Sequence, residues 1–134
     1  MTFKDRCQEL EKLIQSAYED SLTMDEAEKL AGNFLHAMLQ VSSELSKADL
    51  DARTRKSGVK AVRAAMYLGI VQSAEGKKPT EAQIGAMTDT NPLVSSEQSA
   101  LDSAEVLKGE LERFYDIFNQ AHIYFRQVSK GVQG

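Results

Sequence analysis

Residues 24–74 read MDEAEKLAGNFLHAMLQVSSELSKADLDARTRKSGVKAVRAAMYLGIVQSA. Two interleaved sets of residues repeat there every seven positions, nearly all of them apolar or small, and the register does not slip from one end to the other. The sets are Met24, Ala31, Met38, Leu45, Ala52, Val59 and Met66, and Ala27, Phe34, Val41, Ala48, Arg55, Val62 and Gly69. A period of 3.5 residues held this long is typical of one helix with coiled-coil packing. If this helix bends, the bend is expected at Ser57-Gly58, and the sequence leaves open whether it does.

Start and stop signals divide the rest of the chain into three more helices. Thr23 and Glu26 match a capping box ahead of the long helix, and Thr80 with Gln83 matches a second one. Asn91-Pro92 is a further start signal, because proline suits the first position of a helix. The additional predicted helices span about Phe3 to Tyr18 with Thr2 as the cap, residues 81–88, and residues 92–129.

These segments predict an all-α protein built on a long antiparallel helical hairpin with coiled-coil-like packing. The helix of 24–74 would pair with the helix of 92–129, and the N-terminal helix would dock on that hairpin. The short helix of 81–88 would lie in the linker between the two long ones. No alternating pattern longer than a few residues indicates a strand. We expect one helical domain over residues 1–134, made of 1–20, 24–74 and 80–134.

Length and composition are those of an ordinary single domain. The chain has 134 residues, of which 16 are basic and 20 are acidic, and its formal net charge is −4. Its longest uncharged run has 14 residues, fewer than the roughly 20 that span a bilayer, and residues 1–20 lack the apolar stretch of a signal peptide. We therefore expect no membrane partner and a cytoplasmic location, which for a phage protein is the bacterial host cytoplasm.

The sequence contains no pattern typical of an enzyme or a metal site. Cys7 is the single cysteine, so an internal disulfide and a cysteine-based zinc cluster are both excluded. Neither His36 nor His122 has a partner at metal-ligand spacing, and no glycine-rich phosphate loop or nucleophile motif is present. We expect no catalytic residue, no metal and no cofactor.

Charge is concentrated in one segment. Residues 53–78 hold seven basic groups and one acid, Glu75. At 100° per residue, five of their side chains fall within about 80° of the helix circumference. We call this set the cationic ridge: Arg53, Lys56, Lys60, Arg63 and Tyr67.

The ridge is a candidate nucleic-acid interface, because phosphates bind lysine and arginine and a tyrosine ring can stack on a base. The complete set of candidate nucleic-acid-binding residues is Arg53, Arg55, Lys56, Lys60, Arg63, Tyr67, Lys77 and Lys78. The alternative is a solvated flank that pairs with acidic residues of the same or a neighbouring chain.

The last helix is apolar on more than one face between residues 111 and 128. One chain of this length has few elements with which to cover two faces, so we expect self-association through this helix. The residues expected to carry it are Leu111, Phe114, Phe118 and Phe125. The alternative is that the helix is the central core helix of a monomeric bundle.

The layout of the chain resembles the UvsY family of phage recombination mediators. A long helix closes on the basic stretch KAVRAAMYLG at residues 60–69, followed by a Glu-Gly-Lys-Lys linker, the segment KPTEAQI at 78–84, Asn91-Pro92 and a C-terminal helix. Arg63 matches the arginine of the family's motif, Lys60 lies one residue from its lysine, and Arg55 and Lys56 match an upstream basic pair.

The resemblance implies that these basic residues bind single-stranded DNA and that the C-terminal helix drives ring-like oligomerisation. It also implies a role in loading a RecA-type recombinase onto DNA covered by single-strand-binding protein. We therefore expect a non-enzymatic recombination mediator. The alternative is a helical interaction module without a nucleic-acid role, such as a small phage inhibitor or a scaffold subunit.

Overall fold

The computed structural model describes residues 2–131, and within that range the chain is all-α. Four helices follow one another without an intervening strand in the described residues. In chain order they are α1 (Phe3–Glu19), α2 (Met24–Ser73), α3 (Glu81–Asp89) and α4 (Pro92–Ser129). Every predicted helix is confirmed to within one residue at each end, and α2 continues through Gly58 without a break.

The helices begin where their caps are. Thr2 and Asp5 form a capping box at α1, and Thr80 and Gln83 form one at α3. At α2 the Thr23 hydroxyl accepts from the Glu26 amide at 3.2 Å and donates to the Glu26 carboxylate at 3.0 Å. The Asn91 side chain accepts from the backbone amides of residues 93 and 94 at the start of α4. These caps satisfy amides that have no partner inside the helix.

Packing divides the chain into two compact units. Unit 1 comprises Met1–Ser46 and Gly109–Gly134, and unit 2 comprises Lys47–Lys108. Both α2 and α4 contribute to each unit, and they pack as the predicted helical hairpin. Whether the whole chain behaves as one domain stays a prediction.

Unit 1 is held together by aromatic side chains. Phe34 of α2 lies between Phe118 and Phe125 of α4, with ring centroids 5.8 and 5.7 Å apart. The Tyr18 ring of α1 meets the Tyr124 ring edge-on at 4.6 Å, so α1 docks on the hairpin as predicted. The antiparallel register shows in the bond between His122 Nδ1 and the carbonyl oxygen of residue 31, at 2.9 Å. The rings therefore bury one apolar face of α4, while Ile123 on another face stays 47% exposed.

Unit 2 has a core of smaller side chains. Its buried apolar residues are Ala48, Ala52, Val59, Ile84, Val94, Leu101 and Ala104. Ala48, Ala52 and Val59 belong to the predicted heptad sets, whereas Arg55 and Gly69 of those sets are exposed. On α4 the spacing of Ala100, Ala104, Leu107 and Leu111 predicts one buried stripe, but Leu107 is 46% exposed and Leu101, next to Ala100, is buried instead. Ala100 and Leu101 are adjacent apolar positions, and the local rotation of α4 decides which of the two faces the core, which a sequence pattern does not resolve.

None of the helices in the described range 2–131 is both long enough and apolar enough to cross a membrane.

Candidate nucleic-acid interface

The cationic ridge lies on the part of α2 that belongs to unit 2. Its residues follow one another at spacings of three and four, so the helix places them on one flank of the seam formed by Ala52, Val59 and Val62. The chain has no acidic residue from Ala52 to Ala74, so the carboxylates that α2 itself offers to this flank come from the turn before Ala52. Whether each cation is paired or open to solvent depends on the acidic side chains that the rest of unit 2 places next to it.

Two arginines are paired with aspartates one turn earlier. Arg53 contacts Asp49 at 3.1 Å, and Arg55 contacts Asp51 at 3.1 Å. Asp49 also accepts from Lys108 of α4 at 3.0 Å, and this hydrogen bond, together with the charge of Arg53, lowers the pKa of its carboxyl. The Arg53 side chain nevertheless stays 77% exposed, so most of its donors face solvent. Exposed pairs of this kind contribute about 1 kcal/mol or less, so a phosphate can compete for the arginines.

The C-terminal half of the ridge contacts α3. The Arg63 guanidinium forms an ion pair with Asp89, and the Tyr67 hydroxyl donates to Glu81 Oε1 at 3.1 Å. That hydrogen bond, with the charge of Glu81, raises the pKa of Tyr67. Arg63 and Tyr67 of α2 line a shallow hollow together with Glu81 and Thr88 of α3. Tyr67 is 37% exposed, with its hydroxyl committed to Glu81.

The remaining lysines are open. Lys56 and Lys60 on the ridge and Lys77 and Lys78 in the α2–α3 linker are exposed. None of the four has an ion-pair partner among residues 2–131. Lys56 and Lys60 lie one turn apart on the same face as Arg53. The N-terminal half of the ridge is therefore a short cationic strip accessible to an anion.

The sequence indicates the basic residues but only some of their acidic partners. The pairing of Arg53 with Asp49 is expected from the sequence, because the two lie four residues apart on one helix. Asp89 and Glu81 lie 26 and 14 residues from their partners, and only the packing of α3 on α2 brings them close. The sequence shows that Glu81 and Asp89 follow the basic segment, but it does not indicate which side of α2 their carboxylates reach.

The residues expected to carry self-association are buried in unit 1. Leu111, Phe114, Phe118 and Phe125 are at most 5% exposed, and the phenylalanines pack on one another or on α2 within unit 1. In this conformation they are not accessible to a second copy, which agrees with the alternative of a core helix. Self-association through these residues stays a prediction.

The metal-ligating residue types and the cysteine can be placed within the described range. Within the described range, no group of three or more His, Cys, Asp or Glu residues could hold a metal ion. Cys7 is buried in unit 1, and this burial raises the pKa of its thiol. A buried thiol with a raised pKa is a poor nucleophile at neutral pH.

No protein-family model, curated protein or solved structure matches this chain. The resemblance to the UvsY family therefore stays a prediction from layout and motif.

Proposed function

We propose that the protein binds single-stranded DNA through the cationic ridge and acts as a non-enzymatic, mediator-like recombination protein. One observation carries the proposal: Lys56 and Lys60 are exposed, lack an ion-pair partner in residues 2–131, and share a face with a largely exposed Arg53. Such a strip attracts phosphates through charge and counterion release. Tyr67 lies at the end of the ridge, and its ring would stack on a base of the bound strand.

The strip offers few cations per chain, so its affinity for a single strand is expected to be modest. We propose that the protein works as an oligomer, in which several ridges hold one strand and raise the effective affinity without new contacts. The partners expected from the family resemblance, a RecA-type recombinase and a single-strand-binding protein, belong to the same proposal.

A salt series of binding to a fluorescent oligo-dT tests the proposal. Lys56→Ala with Lys60→Ala should weaken binding severalfold and flatten the slope of log Kd against log salt by about one to two. The matched control is Lys12→Ala with Lys29→Ala, which removes two exposed lysines from unit 1 and should leave the slope unchanged. Absence of binding by the wild type at low salt would refute the proposal. Light scattering on the same samples gives the mass of the binding species.

A second candidate is a helical interaction module without a nucleic-acid role. The observation that favours it is a set of exposed leucines on α2: Leu35 at 44%, Leu39 at 63% and Leu50 at 66%. The pairing of Arg53, Arg55 and Arg63 with acids of the same chain also fits it. Under this alternative, both double-lysine variants would behave like the wild type in every binding measurement with DNA.

A further inference from the structure

Helix α3 places two acidic side chains against the C-terminal half of the ridge. Ile84 and Thr88 of α3 are 2% and 5% exposed, and they anchor the helix in unit 2. Its first and last residues are acids, Glu81 and Asp89. These two carboxylates are the ones that bond Tyr67 and Arg63. The anchor residues are buried while the acids stay in solvent, so the acids can leave their partners without unpacking the helix.

We propose that α3 is an acidic cover that competes with nucleic acid for the C-terminal half of the ridge. The inference rests on the proposed function, since it concerns the regulation of the same surface. A strand first meets the open lysines, Lys56 and Lys60, and gains Arg63 and Tyr67 only by displacing Asp89 and Glu81. The cover sets the affinity and restricts full engagement to a polyanion that reaches along the whole ridge.

The contacts of Asp89 and Glu81 with the ridge are weak enough for a nucleic-acid strand to displace them. The Arg63 and Asp89 side chains are 42% and 61% exposed, so solvent and salt screen their attraction. A pair this exposed is weak, and a phosphate offers the same guanidinium a charged acceptor of equal valence. The Tyr67 hydroxyl is released in the same event, which frees its ring to lie against a base. The two carboxylates therefore act as internal competitors of the strand.

Neutralising the cover should tighten binding. Asp89→Asn and Glu81→Gln are each expected to strengthen oligo-dT binding about two- to fivefold at low salt. Asp116→Asn is the control for net charge, because Asp116 is exposed on α4 in unit 1 and has no ion-pair partner in the described residues. It should change the affinity by less than either cover variant.

A double-mutant cycle separates a cover from a general change of charge. If Asp89 acts by occupying Arg63, then Asp89→Asn should have no effect in an Arg63→Ala background. Glu81→Gln should likewise have no effect in a Tyr67→Phe background. A purely electrostatic contribution of the two acids would persist undiminished in both backgrounds, and that result would overturn the cover.

The same data distinguish failure of the cover from failure of the proposed function. Wild-type binding with cover variants no tighter than Asp116→Asn overturns the cover and leaves the ridge as the binding surface. Tighter binding by the variant with both acids neutralised than by a wild type that itself binds supports the cover. No binding by either protein overturns the proposed function and the cover with it.

Discussion

At the scale of single residues, the aromatic side chains of unit 1 have a different role from the one that the sequence favoured. Phe34, Phe118 and Phe125 are fully buried, and Phe34 stacks on Phe125 at 5.7 Å. Aromatic pairs at such distances contribute beyond the area that they bury. The rings therefore form the core of a single chain, and substitutions there should act first on folding.

Phe118→Ala tests that role. We expect a loss of about 3–5 kcal/mol in the free energy of unfolding, because the substitution leaves a large cavity between α2 and α4 of unit 1. Ile123→Ala on the same helix is the control, since Ile123 is 47% exposed and should cost much less. Chemical denaturation followed by circular dichroism gives both values. A Phe118→Ala protein of unchanged stability but reduced mass would instead place this ring between copies.

The basic residues show what sequence resolves at this scale and what it does not. The spacing from Arg53 to Tyr67 predicts one flank of one helix, because residues three and four apart share a face. The open state of Lys60 beside the paired state of Arg63 follows from tertiary packing of α3. Residue type and periodicity predicted where the cations lie, and long-range packing determined which of them are available.

At the scale of elements, the sequence predicted nearly everything about the helices. Their limits depend on caps such as Thr80 and Asn91, whose bonds lie within three residues, and the register of α2 depends on a repeat that the chain carries itself. The burial of Leu101 rather than its neighbour Ala100 on α4, with Leu107 exposed, was missed, because both neighbours are apolar and the two stripes differ by one helical step. Local sequence rules therefore predict where the helices begin and end. Which face of a helix is buried depends on the surface against which the helix packs.

Two glycines are expected to respond to alanine with opposite signs. Gly58 lies inside α2, and a Cβ there would meet only Glu97 Oε2 at an ordinary 3.7 Å, so Gly58→Ala should stabilise the protein by about 0.5–1 kcal/mol. Gly76, which follows α2, has φ +79, so Gly76→Ala should destabilise by about 1–2 kcal/mol. Thermal unfolding compares the two directly. A destabilising Gly58→Ala would show that α2 needs a flexible point there.

At the scale of the whole molecule, the net charge of −4 conceals an uneven distribution. Unit 2 (Lys47–Lys108) holds nine basic and eight acidic residues, a net charge of +1, and the rest of the chain therefore carries −5. An anion responds to the field within about 10 Å at physiological salt, so the ridge matters more to it than the total. Acidic composition by itself is therefore a weak argument against a nucleic-acid partner for this chain.

The same charges give the protein a stability that should fall on both sides of neutral pH. Bonds from Thr2 lower the pKa of Asp5 in unit 1, and the bond from Lys108 lowers that of Asp49 in unit 2. A carboxyl with a lowered folded-state pKa stabilises the protein above its unfolded pKa, about 3.9, and this contribution disappears as the pH falls through the folded value. We therefore expect Tm to decline below about pH 4. Asp49→Asn should lower Tm at neutral pH, and the Tm of this variant should fall less steeply in acid than that of the wild type. An equally steep fall would show that Asp49 does not contribute to the loss of stability in acid.

The alkaline limb should depend on two groups of unit 1, the buried Cys7 thiol and the partly desolvated Tyr18 hydroxyl. Burial raises the pKa of the Cys7 thiol and of the Tyr18 hydroxyl. A group with a raised folded-state pKa contributes its full stabilisation below its unfolded pKa, about 8.5 for cysteine, and loses it as the pH rises through the folded value. Cys7→Ala should lower Tm at every pH through the lost packing, but it should make the decline between about pH 8 and pH 10 shallower than in the wild type. If both proteins lose stability in parallel over that range, ionisation of Cys7 does not contribute to the alkaline limb, and the limb belongs to the tyrosines.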